Sequence, residues 1–113
     1  MNFFKLRRFF GAAKDYSSVI SGHSKAHPIL LYSRSDSQQS ARAKSLLSEH
    51  KLSPFVIEID KEEDPKSFRE ALKEATNLTR IPIIFVRGKP IGGLGDLRKK
   101  LKNGEIQSEL KDK

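Results

Sequence analysis

Residues 33–44 read SRSDSQQSARAK. In front of them Pro28 opens a short apolar run, Ile29-Leu30-Leu31-Tyr32, which predicts a buried strand. Behind them Ala43, Leu46, Leu47 and His50 recur at i, i+3, i+4 and i+7, one face of a helix. The stretch is therefore a strand-to-helix junction, with Ser37 or Asp36 as the N-cap. A helix N-terminus presents unpaired backbone N–H groups and the positive end of the helix dipole, a setting that favours an anion. Reactive chemistry at such a place needs a nucleophile, and this junction offers serines, glutamines and an aspartate.

The 113 residues include no cysteine. Disulfides, thiolate metal sites and thiol catalysis by this chain are thereby excluded. The compartment stays open, because a chain without cysteine suits any redox poise. The length fits one domain with one core. Hydrophobic residues make up 36% and charged residues 32%, an ordinary soluble balance. No apolar run approaches the ~18–20 residues of a membrane-spanning helix. A net charge of +8 and a pI of about 9.9 attract polyanions. Nucleic acid is the less favoured of these partners, since no DNA- or RNA-reading motif accompanies the charge.

Outward from the junction, Ala12 to Ser24 is weakly helical and is expected to break near Gly22. PFVIEID, Pro54 to Asp60, predicts a second strand. Asp64-Pro65 starts a helix, a cap followed by proline where its missing N–H costs nothing; Phe68, Leu72 and Ala75 are expected to line it. Ile83-Ile84-Phe85-Val86 is a third strand, Gly88-Lys89-Pro90 a turn, and a short fourth strand includes Ile91 before Gly92-Gly93 breaks it. Leu94, Leu97 and Leu101 mark a last long helix, stopped by Asn103-Gly104, and Ile106 and Leu110 add one or two turns. The order is β-α-β-α-β-β-α with an extra helix in front. Strands one and two, joined by a crossover, run parallel; strands three and four form a hairpin. The result is an α/β fold, a four-stranded mixed sheet flanked by helices.

Residues 1–14, MNFFKLRRFFGAAK, stand apart from the domain at 15–113. Lys5, Arg7, Arg8 and Lys14 are their only charges, and Phe3, Leu6 and Phe10 fall near one helical face. Such a segment suits mitochondrial targeting or contact with a membrane surface, or a helix packing its apolar side on the domain. The expected location is mitochondrial, with the cytoplasm as the alternative.

Four segments in order give the chain a likeness to a known family: LLYSRSDSQQSARAK, VIEID followed by a helix, RIPIIFVRGKPIGG, and LGDL. From about Ala26 onward it resembles a glutaredoxin, with the thioredoxin-like fold which that implies. Family members carry C-P-Y-C, or C-x-x-S in monothiol types. Laid over this chain, the two cysteine positions fall on Ser37 and Ser40, so the motif reads S-Q-Q-S.

A helix N-terminus can bring a thiol from pKa ~8.5 to about 3.5–7.5, but a serine hydroxyl starts far higher and stays un-ionised. Ser37 would need a general base. His23, His27 and His50 are scattered, and no G-x-S-x-G elbow is present. Asp36 would also raise the pKa of any thiol placed beside it. The plain role of Ser37 and Asp36 is capping. Two accounts of the missing thiols remain: a natural redox-silent relative, or cysteine exchanged for serine. Gln38-Gln39 between the positions, Asp36 before them, and Leu94 where some relatives have another cysteine favour the first.

The resemblance also implies a glutathione groove. Arg34 stands where the family has a lysine for the glycyl carboxylate. Ile81-Pro82 resembles the Val-Pro pair whose proline is cis and whose preceding backbone pairs with the bound peptide. Gly92 and Gly93 permit close approach of backbone. Gly95 would offer an amide and Asp96 a carboxylate for the γ-glutamyl ammonium. Gln39 replaces a groove aromatic, and Leu78 and Thr79 replace glutamine and arginine. Each has a plainer reading: Pro82 shaping a strand, Gly92-Gly93 ending it, Asp96 capping a helix, Arg34 simply solvated. GKPIGGLGD fails both phosphate-loop patterns and is a hairpin turn. An iron–sulfur cluster needs a cysteine ligand and is not expected; no cofactor is required.

Three functions follow as expectations. The first is a redox-inactive glutaredoxin-like module binding glutathione or an extended peptide or protein segment. The second is a glutathione-dependent oxidoreductase whose cysteines have been replaced at Ser37 and Ser40. The third is a basic adaptor, with Arg98, Lys99, Lys100 and Lys102 beside Arg87 and Lys89 facing an acidic partner.

Overall fold

The computed structural model describes residues 15–111; the targeting or membrane role expected of residues 1–14 lies outside them. Helix α1 spans Tyr16–Ala26, strand β1 Ile29–Ser33, α2 Gln38–Glu49 and β2 Phe55–Glu58. A 3-10 turn at Ile59–Lys61 leads to α3, Pro65–Thr76. Then come β3 (Ile83–Val86), β4 (Lys89–Gly92), α4 (Leu94–Lys102) and α5 (Glu105–Lys111).

The sheet order is β2-β1-β3-β4. β1 runs parallel to β2 and antiparallel to β3, and β4 closes a hairpin on β3. Both faces of the sheet are covered, which is why β1 and β3 are buried along their whole length and read as continuous apolar runs. One face packs Leu30, Tyr32, Ile83 and Phe85 against Tyr16 and Ile20 of α1 and Phe68 and Leu72 of α3. The other packs Ile29, Leu31, Ile84 and Val86 against Ala43 and Leu47 of α2 and Leu97 and Leu101 of α4. Tyr32 is fully buried, and that burial pushes its hydroxyl well above the ordinary tyrosine range.

Several sequence expectations need correction. α1 does not break at Gly22 but continues to Ala26. Gly22 faces open space, and one helical glycine costs only about 1 kcal/mol, less than the docking of Tyr16, Ile20 and Ser24 returns. His50 leaves the buried face of α2 because the helix ends before it; it is the exposed C-cap. On α3, Ala71 rather than Ala75 joins Phe68 and Leu72 against the core, and Ala75 is exposed. PFVIEID is strand only over Phe55–Glu58. Phe55 itself lies on the outer strand and is half-exposed, its ring stacked on His27 at 3.8 Å.

Candidate functional site

The register brings distant segments to one end of the sheet. Tyr32 pairs with Ile83, Ser33 with Glu58, and Ile84 with Gly92. The β1–α2 junction, the residues after β2, the Ile81-Pro82 step and the Gly92-Gly93 turn therefore lie together. The groove candidates Arg34, Gln39, Ile81, Pro82, Gly92 and Gly93 and the cysteine-equivalent positions Ser37 and Ser40 belong to these segments, and Gly95 and Asp96 follow on the first turn of α4.

Ser37 is the N-cap of α2. Its backbone is extended, and its Oγ accepts the Ser40 N–H at 3.1 Å. Ser40 is fully buried, and its Oγ accepts the Arg34 N–H at 3.1 Å. Both hydroxyl oxygens thus hold the backbone of the junction in place. Among the described residues neither hydroxyl is hydrogen-bonded to a group that would act as a base. Gln38 and Gln39 are exposed on the first turn.

Arg34 does not stand simply solvated. Its Nη2 meets Asp36 Oδ2 at 2.9 Å. Ile81-Pro82 is a cis peptide, with Pro82 buried and Ile81 packed against the core. The Pro82 carbonyl would lie 3.3 Å from a Cβ on Gly93, a tight approach that glycine eases. Asp96 Oδ2 accepts the Gly93 N–H at 3.3 Å, the carboxylate half of a capping box at the start of α4. Gly95 is exposed with open space around it.

Two polar connections escaped the sequence reading. The buried Ser33 hydroxyl donates to Glu58 Oε1 at 2.7 Å, and Lys44 Nζ donates to Glu58 Oε2 at 2.7 Å. The Ser35 N–H donates to Asp60 Oδ1 at 2.9 Å while its hydroxyl donates to Asp60 Oδ2. In the sequence Glu58 and Asp60 are no more than members of the PFVIEID strand, and it is the parallel register of β1 on β2 that brings them to the junction.

The Ser35 hydroxyl, and then the Ser35 N–H, hold the Asp60 carboxyl below its ordinary value of 3.8. Asp60 therefore binds its proton less readily folded than unfolded. The contact contributes stability above the unfolded value, and that contribution is lost as pH falls through the folded one. We expect the Ser35 amide resonance to titrate below pH 3.8, and the titration to vanish in Asp60→Asn. A Ser35 amide that does not respond to acid would show that the contact is absent in solution.

Away from this end, a hollow of roughly 690 Å³ lies beside β4 and α5, lined by Val86, Ile91 and Ile106. It is at the opposite end of β3 from Pro82 and shares no residue with the junction.

Comparison with known proteins returns the glutaredoxin family model over residues 29–91, more than half of the chain. The chain belongs to the glutaredoxin family. The rice (Oryza sativa subsp. japonica) protein Glutaredoxin-C8 is 32% identical over 96 residues, which covers 83% of this chain and 71% of the rice protein. Among solved structures, the holo form of glutaredoxin C1 from Populus tremula x tremuloides superposes with a TM-score of 0.81 at 25% identity, covering 88% of this chain and 98% of that one. A buckwheat glutaredoxin–glutathione complex superposes at 0.80 and 22% identity, covering 88% and 94%, and speaks for the fold alone. The expected thioredoxin-like architecture is thus the observed one. This glutaredoxin chain carries serine at positions 37 and 40 and has no cysteine anywhere in its sequence.

Proposed function

We propose that this chain is a redox-silent glutaredoxin that works as a binding module, its ligand being glutathione or an extended peptide lying along Ile81-Pro82. The observation that carries the first half is the engagement of Ser37 and Ser40. Both hydroxyls accept backbone N–H bonds, and a serine oxygen has no disulfide to exchange. The second half is supported by the convergence of Arg34, Ile81-Pro82, Gly92-Gly93 and Asp96 at one end of the sheet.

The test is a titration of the labelled protein with glutathione and with a short extended peptide, read at the amides of Arg34, Ile81 and Asp96. Saturable shifts confined to these segments are expected, with affinity in the millimolar range or weaker, since Gln39 gives little aromatic packing. Amides that stay unmoved by either ligand would end the groove reading. Reduction of a glutathione mixed disulfide by the purified chain, above the uncatalysed rate, would end the redox-silent one.

A second reading, a basic adaptor for an acidic partner, has one specific support. Lys89 and Lys100 are paired with Glu109 and Glu105, whereas Arg98, Lys99 and Lys102 are exposed with no ion pair among the described residues. Binding of such a partner would fall steeply with salt.

A further inference from the structure

We propose that Asp36 is a built-in competitor for Arg34, and that the groove is thereby set for an uncharged stretch of extended peptide rather than for a ligand that ends there in a free carboxylate. This names the ligand class of the site proposed above and rests on that reading. Arg34 is the cation at the mouth of the β1–α2 junction. A carboxylate is already on it, at 2.9 Å, supplied two residues further along the same loop. The two side chains are 41% and 64% exposed, so the contact lies in the open, where an arriving ligand would meet it.

The neighbouring donors are met in the same way. The Ser40 N–H goes to Ser37 Oγ, the Ser35 N–H to Asp60, and the Gly93 N–H to Asp96. Three carboxylates of the chain itself, those of Asp36, Asp60 and Asp96, are thus already engaged beside the groove. An incoming carboxylate must share Arg34 with Asp36 and meets the repulsion of that like charge. A peptide unit from the middle of a longer segment carries no charge, leaves the Arg34–Asp36 pair intact, and needs only backbone partners at Ile81, ahead of β3.

An exposed pair is weak, so the effect is modest but measurable. Affinities for glutathione and for its C-terminal glycinamide are compared at low salt in the wild type, Asp36→Asn, Arg34→Gln and the double variant. Glu63→Gln, an exposed residue outside the groove, controls for the change in net charge. The wild type should bind the amide at least as tightly as the acid, and a wild type that prefers the acid would overturn the inference. Asp36→Asn should bind the acid about three- to five-fold tighter and leave the amide unchanged. In the Arg34→Gln background that gain should disappear. A gain equal for both ligands, equal to that of Glu63→Gln, surviving loss of Arg34, or absent altogether would overturn the inference while the groove reading stands. Failure of both ligands to bind every variant would sink the groove reading and this inference with it.

Discussion

Phe68→Ala lowers the free energy of unfolding by about 3–5 kcal/mol. The ring is fully buried on α3 and touches aromatic partners from two other elements: Tyr16 of α1 at 4.6 Å and Tyr32 of β1 at 5.6 Å. Those rings are held by a helix and by a strand at the centre of the sheet, so little can move in to fill the void. Removal also strips α1 of its main contact with α3, because Tyr16 and Ile20 are its two buried hydrophobic residues. Against a total stability of about 5–15 kcal/mol expected for a domain, that loss is a fifth of the whole or more. The chain has two tyrosines and no tryptophan, and both tyrosines touch Phe68. Urea unfolding followed by tyrosine fluorescence therefore reads this cluster directly. A loss smaller than about 1.5 kcal/mol would mean that α1 is not docked on α3 as described.

Gly92→Ala is expected to cost about 2–4 kcal/mol, from backbone strain together with loss of a cap. Gly92 has φ +124°, a conformation that a side chain rarely tolerates. An added Cβ would come 2.2 Å from Asp96 Oδ2 and 2.8 Å from Asp96 Cβ. Rotating the carboxylate away relieves the first contact but not the second, and it also releases the Gly93 N–H. The loss should therefore appear both in urea unfolding and as faster hydrogen exchange at the Gly93 amide. In an Asp96→Ala background the same substitution should cost less, since the clashes with Asp96 Oδ2 and Cγ are gone and only the Cβ contact remains. Equal costs in the two backgrounds would place the damage in the backbone conformation alone.

Where the local pattern is strong, the elements were legible. Ile83-Ile84-Phe85-Val86 is strand from its first residue to its last because a buried central strand reads as an unbroken apolar run. Asp64-Pro65 starts α3 because capping and the N1 preference of proline act within a single turn; Asp64 accepts the Ser67 N–H at 3.2 Å. Ser37 as a cap and Asp96 reaching back three residues are of the same kind. The readings that failed weighed a local signal against a distant one. Gly22 is a helix breaker only until the docking of α1 on α3 is counted. Phe55, a strand-former in the sequence, is half-exposed because β2 lies at the edge of the sheet and its ring turns to His27.

The amino-acid sequence determined by itself that no thiol chemistry is open to this chain, since that depends on which atoms are present and not on where they lie. It also determined the succession of strands and helices and the caps at their ends, which are set by interactions across three or four residues. Only the tertiary structure decided which polar groups meet. Ser33 finds Glu58 and Ser35 finds Asp60 across 25 residues through the parallel register of β1 on β2. Arg34 shares its end of the sheet with Pro82 and Gly92 through the antiparallel register of β3. No local spacing encodes those meetings: they arise when the sheet closes, driven by burial on both of its faces, and the charges near the groove are brought together as a consequence.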